Sequence, residues 1–270
     1  MNLSEYGRQY LKYHGAYERY AFRVFRKALK ASFANLPIYN LDYSNYELVI
    51  ALNVNPEPIR TAYYEVYKRV GLLHGARVGR GINREIKDFE LPFFNEEFFK
   101  EVLQWLVENG GERITSVNDT TIERIKLAIE LAQRKNYSVD EMREYLQKTI
   151  NEPSFTKYHA LRIARTEVGS AANFAASVSG KTSGLVLEKV WISTHDARTR
   201  DGRPEEWNHR DMDGKTVGQF DKFVMKSNKG QINELEYPWD AKGSAGNVIM
   251  CRCTFAYRPK RDENGLPIRR

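Results

Sequence analysis

Cysteine is the scarcest chemistry in this 270-residue chain: Cys251 and Cys253 are the whole supply, with one residue between them. A disulfide joining them would close a tiny, strained loop, so the pair builds no disulfide framework. Thiols so placed suit a metal ion or plain burial. Long apolar runs are missing as well. The stretch from Phe98 to Val107 is broken by Lys100, Glu101 and Gln104, whereas a membrane-spanning helix needs roughly 20 apolar residues. Near the N-terminus Arg8, Lys12 and Arg19 interrupt any apolar segment. No signal peptide is expected, and the chain reads as a soluble protein made in a cytoplasm. No Walker-type glycine loop, no Gly-x-Gly-x-x-Gly turn after a strand and no Gly-x-Ser-x-Gly elbow occurs, so no nucleotide or other cofactor site is expected. No internal repeat is visible, which excludes a solenoid.

Basic residues are plentiful, and they sit at the ends. The total is +7. Residues 1–35 carry seven Lys/Arg (Arg8, Lys12, Arg19, Arg23, Arg26, Lys27, Lys30) against Glu5 and Glu18, and residues 251–270 carry six against Asp262 and Glu263. The long middle is therefore slightly acidic. Two readings stand: basic arms that meet phosphate or an acidic partner surface, or terminal charge that keeps the protein soluble.

The periodicity predicts helices first and strands afterwards. Tyr6, Tyr10, Tyr13, Tyr17, Tyr20 and Val24 recur three and four apart, placing one helix over the first 35 residues. Its tyrosine face is semi-polar and suits docking to a partner protein. A short helix is expected over Tyr43–Leu52, and another from Pro56 or Pro58 toward Leu73. Gly71, Gly75, Gly79 and Gly81 then mark either a flexible elbow or close helix packing. Phe94–Asn109 reads as an amphipathic helix stopped by Gly110 and Gly111. Capping boxes at Thr120/Glu123 and Ser138/Glu141 open two more, and Pro153 breaks the chain before a helix over Thr156–Ser179. In that last helix Leu161, Ala164, Val168, Ala171, Ala175 and Val178 form a seam of mostly small residues, against which something packs closely. Leu185–Ser193 and Val248–Tyr257 read as strands, 195–216 as a long polar loop, and Pro259–Arg270 as a loose basic tail. The fold class is α+β: a mainly helical N-terminal two-thirds followed by a small α+β module with a few antiparallel strands.

The polar loop and the last strand hold the candidate chemistry. Residues two apart on a strand point to one face, so Cys251 and Cys253 with His209 could ligate a structural zinc. The Cys-x-Cys spacing departs from the common Cys-x-x-Cys zinc signatures, and no fourth ligand is evident. His195, Asp196, Asp201, His209, Asp211 and Asp213 could alternatively form a metal-dependent nuclease or toxin-like site. Arg198, Arg200, Arg203 and Arg210 interleave with those acids and would neutralise them.

A series of motifs runs from Ile163 to Cys253. It opens with Ile163-Ala164-Arg165-Thr166-Glu167 and Asn173. Trp191, Asp196-Ala197-Arg198-Thr199-Arg200, His209 and Met212-Asp213-Gly214 follow. Tyr237-Pro238, Ser244-Ala245, Asn247 and Cys251-Arg252-Cys253 close the series. Read in order, these motifs resemble the phage head-morphogenesis family, which includes the Mu protein F-like minor head proteins. The usual ending places asparagine directly before Cys-Arg-Cys; here Met250 stands there and Asn247 is displaced. The resemblance covers roughly residues 110–257.

It implies a minor capsid protein of the virion, in the phage head interior near the portal. Its implied role is in head assembly, with the portal as partner and with coat or scaffold protein and double-stranded DNA as further contacts. It implies no enzyme and no membrane. The basic residues Arg19, Arg23, Arg26, Lys27 and Lys30 would meet DNA or a partner without sequence preference. A plain DNA-binding module is a further alternative. The expected division is 1–110 as a helical docking region, 111–258 as a head-morphogenesis-like domain, and 259–270 as a basic tail. Within the motif, Arg165 and Glu167 are expected to pin their helix to the loop. Trp191 is expected in the core and Asp213-Gly214 in a tight turn.

Overall fold

A computed structural model describes residues 3–86, 96–196, 198–203 and 207–270. Its helices are α1 (Leu3–Ser32), α2 (Tyr46–Asn53), α3 (Glu57–Ile86), α4 (Glu96–Arg134), α5 (Val139–Asn151), α6 (Pro153–Lys181) and the single turn α7 (Ala245–Val248). Its strands are β1 (Leu187–Ile192), β2 (Thr216–Gly218), β3 (Phe223–Lys226), β4 (Ile232–Leu235) and β5 (Thr254–Pro259). The α+β class and its order, helices before strands, are as expected.

The chain forms two compact units, each from discontinuous segments. One comprises Met1–Arg19, Val66–Gln104 and Arg165–Arg270; the other comprises Tyr20–Glu65 and Trp105–Ala164. The expected sequential division at 110 and 258 differs from this interleaved one, because α1, α3, α4 and α6 each contribute to both units.

The second unit is helical. Phe33, Leu41, Ile50, Ile125, Ile129, Leu146 and Phe155 form its core, with Phe33 edge-on to Phe155 at 5.7 Å between centroids. The capping box at α5 is complete: Ser138 Oγ accepts from the Glu141 N–H, and the Glu141 carboxylate accepts from the Ser138 N–H. The same signature at Thr120/Glu123 caps nothing, because α4 runs through it and Thr120 Oγ1 donates to the Ser116 carbonyl one turn back. Nor do Gly110 and Gly111 stop a helix. Each costs only about 1 kcal/mol relative to alanine, and Trp105, Ile114 and Val117 carry a buried face straight across them. The expected start of this helix at Phe94 lies outside the described residues.

In the first unit β1 is the central strand of the antiparallel sheet β2-β1-β5, with Trp191 opposite Phe255 and Lys189 opposite Tyr257 and Val217. β3 and β4 form a separate hairpin. The segment beyond β5 is no loose tail. The Val186 N–H donates to the Ile268 carbonyl at 2.9 Å and the Arg270 N–H to the Gly184 carbonyl at 2.8 Å, which ties it beside the start of β1.

Helix α6 is buried on every side from Thr166 to Gly180, where a one-sided seam was expected. Small residues make this fit. Ala175 packs on Gly71, Ser179 Oγ donates to the Gly75 carbonyl at 3.1 Å, and the first of the two readings of the α3 glycines gives way to close packing there. A Cβ on Gly169 would overlap the fully buried Trp239 indole. We therefore expect Gly169→Ala to cost about 3 kcal/mol, the upper range for overpacking a core. Gly81→Ala on α3, where a Cβ meets nothing within 4 Å, should instead gain about 0.5–1 kcal/mol from helix propensity. Urea melts of the two variants check the opposite signs.

Candidate metal centre

β1, the loop after it and the approach to β5 meet at one buried cluster. Cys251 and Cys253 precede β5, and His209 stands at the start of the 3-10 turn Arg210–Met212. Each is at most 3% exposed. His209 Nδ1 is 3.4 Å from Cys251 Sγ and 3.5 Å from Cys253 Sγ. The three ligand atoms lie within 4.8 Å of one another, and the group could hold a metal ion. No fourth histidine, cysteine or acid joins it among the described residues.

The ring is oriented from behind. Asn233 Oδ1 accepts from the Ser244 N–H and from Asn247 Nδ2, which turns Asn247 Oδ1 toward His209 Nε2 at 2.6 Å. An oxygen there requires Nε2 to carry a proton, which leaves Nδ1 as the ring atom that faces the sulfurs. Asn247 thus has a role of its own despite its displaced position. Burial alone would raise the Cys251 thiol, but its contacts with Cys253 and His209 outweigh that and hold it well below the usual range. Burial, with the adjacent Cys251 sulfur, pushes the Cys253 thiol up.

The remaining motif residues knit the unit together. Arg165 Nε pairs with Glu18 Oε1 at 2.7 Å on α1, and Tyr67 OH on α3 donates to Glu167 Oε2 at 2.7 Å. The expected pinning of α6 to the polar loop by these two residues is therefore corrected: they fasten α6 to the neighbouring helices. Contact with the approach to β5 comes instead from Thr166, whose Oγ1 accepts from the Met250 N–H at 3.4 Å. Asn173 Oδ1 accepts from Thr254 Oγ1 at 3.0 Å. Asp196 pairs with Arg252 at 2.9 Å, and Arg200 donates to the Ile249 carbonyl. Trp191 is wholly buried. Asp213 Oδ1 accepts from the Ser193 N–H, and Gly214 turns at φ 75°. Arg198 is exposed; its N–H donates to Asp196 Oδ1. On α1, Arg19, Arg23, Lys27 and Lys30 are exposed, and Arg26 is half-buried over the Phe22 ring.

Two features escaped sequence reasoning. Ser193 Oγ lies 3.6 Å from Cys253 Sγ and donates to the His209 carbonyl, and Trp239 Nε1 donates to the Cys253 carbonyl at 2.8 Å. The expected tyrosine docking face is largely internal: Tyr10 and Tyr17 are buried within their own unit, against His74. No protein-family model matches the chain, and neither a curated protein nor a solved structure matches it. No helix among the described residues is long and apolar enough to cross a membrane.

Proposed function

We propose that the chain is a minor head protein of a tailed bacteriophage, acting in head assembly near the portal, with a zinc ion clipping its C-terminal module shut. One observation carries this reading: four ties between motif residues and their neighbours hold loop, strand approach and helix together. Loop, strand approach and helix are fastened at Asp196–Arg252, Arg200–Ile249, Thr166–Met250 and Asn173–Thr254. Such a cluster closes a scaffold and leaves partner contacts to the outside. Zinc fits the donor set. With Zn–S near 2.3 Å and Zn–N near 2.05 Å, a tetrahedron has an N···S edge of about 3.6 Å, close to the 3.4 and 3.5 Å found. Asn247→Ala removes the partner that orients His209 and should weaken zinc binding about 10–100-fold, as competition with a chromophoric chelator would measure.

The nuclease or toxin-like alternative has less support, because three of its four acids are occupied by neighbours. His195 Nε2 contacts Asp213 at 2.8 Å, Asp196 holds Arg252, and Asp201 pairs with Arg203. The exposed cations of α1 keep DNA contact within the proposal, through counterion release. The test is co-expression with the portal, coat and scaffold proteins of the same phage. The chain should sediment with procapsids at low copy. A chain absent from the particles, with assembly unchanged without it, would refute the assignment.

A further inference from the structure

Beside the thiol pair lies a cavity of about 290 Å³, whose wall includes Cys251, His14, Glu18, Arg165, Arg198 and Arg252. All belong to one compact unit. Three arginines thus line one space. Arg165 is matched by Glu18, and Arg252 by Asp196. Arg198 keeps its exposed side chain for the cavity, since its tie to Asp196 uses only the backbone N–H.

Two polar atoms of the wall residues are buried without a hydrogen-bond partner: His14 Nε2 and Arg252 Nε. The His14 side chain is only 10% exposed, and its ring is held by stacking on Trp239 at 5.9 Å between centroids. Leaving a buried polar atom unmatched is costly, and two such atoms on residues of one cavity wall call for a ligand that supplies hydrogen-bond partners. Guanidinium forks select planar or tetrahedral oxyanions over other acceptors.

We propose that this cavity binds one small oxyanion, carboxylate or phosphate, between His14 of α1 and the arginines Arg198 and Arg252. The proposal stands apart from the phage assignment, since it rests on the cavity alone. It gives Arg198 a purpose that the knitting of the motif does not. It also brings an anion next to Cys251 and couples its presence to the clasp between α1 and the approach to β5.

The test is calorimetric titration of the full chain with inorganic phosphate and, separately, with succinate, at ionic strength held constant with KCl. One saturable site is expected for at least one of the two anions, and the stronger response identifies the chemistry. Arg198→Gln, at an exposed position, should weaken that binding at least tenfold while leaving the melting temperature unchanged. His14→Phe keeps a ring against Trp239, removes Nε2, and should do the same. If His14→Phe fails to fold, Arg198→Gln alone decides. Heats indistinguishable from KCl for both anions, or wild-type affinity in Arg198→Gln, would overturn the proposal.

Discussion

Purified protein should carry one equivalent of zinc, and the Cys251→Ser and His209→Ala variants should carry none. Loss of a structural metal belongs to the small class of changes that exceed about 4–5 kcal/mol. For a domain of this size each kcal/mol moves the melting temperature by roughly 2–4 °C, so both variants should melt at least about 8 °C lower. The effect is large because the cluster joins segments far apart in sequence: His209 and the Cys251/Cys253 pair are the point where the polar loop meets the approach to β5. Two controls keep packing and metal apart. Chelator treatment of the wild type should reproduce the loss seen in Cys251→Ser. Asn247→Ala should still take up one equivalent at saturating zinc and melt between the wild type and Cys251→Ser, because a 10–100-fold weaker site removes about 1.4–2.7 kcal/mol of the metal's contribution. Metal-free wild-type protein whose stability is indifferent to chelator would reduce the cluster to buried thiols.

Mild acid should weaken the fold almost as strongly. Burial, helped by neighbouring arginines, lowers His14 to about 4, His74 to about 3 and His159 to about 4, from an ordinary 6.5. The folded values lie below the unfolded one, so between pH 6.5 and about 4 the unfolded chain binds more protons than the folded one. Stability present above pH 6.5 is therefore lost as the pH falls toward 4. Each histidine contributes about 1.4 kcal/mol per pH unit, hence about 2 kcal/mol apiece at pH 5 and about 6 kcal/mol for the three. His14 and His74 act on one compact unit and His159 on the other. Urea melts at pH 7 and pH 5 check the total. In His74→Phe the average slope between those values should shrink by about 0.7 proton. A stability that does not change between pH 7 and 5 would contradict the assignment of these rings as buried and neutral.

What the sequence made legible is what local chemistry dictates. Ser138 and Glu141 spell a capping box, and α5 begins there. His209, Cys251 and Cys253 do meet, but not through strand geometry: the strand expected from Val248 begins only at Thr254, and both cysteines lie in irregular chain ahead of it. Local signals failed where tertiary packing overrode them. Thr120 and Glu123 spell the same box in the middle of α4, and Gly110 and Gly111 fail to end a helix whose buried face continues past them. The all-round burial of α6 was half visible, since Ala171 and Ala175 show a seam, but only the indole of Trp239 on Gly169 explains why the opposite face is equally small. Asn247 could not be judged from the sequence, because its role depends on Asn233 fourteen residues earlier. Met250 adopts φ 59°, a left-handed conformation that asparagine, the usual residue there in the phage family whose motifs the sequence resembles, tolerates better than methionine. That position calls for a backbone shape, whereas Asn247 does the hydrogen bonding.

The interleaving of the two units bears on how such a chain can diversify. Neither unit occupies a continuous stretch: one needs residues from the beginning, middle and end of the chain, and the other needs the two stretches between them. No single crossover between genes can therefore exchange one unit intact, and a break at any one point leaves fragments in which at least one unit is incomplete. Contacts across such separations must also wait for distant segments to meet, which slows folding relative to a bundle of local hairpins. A chain built this way changes by drifting at its surface more readily than by shuffling its parts.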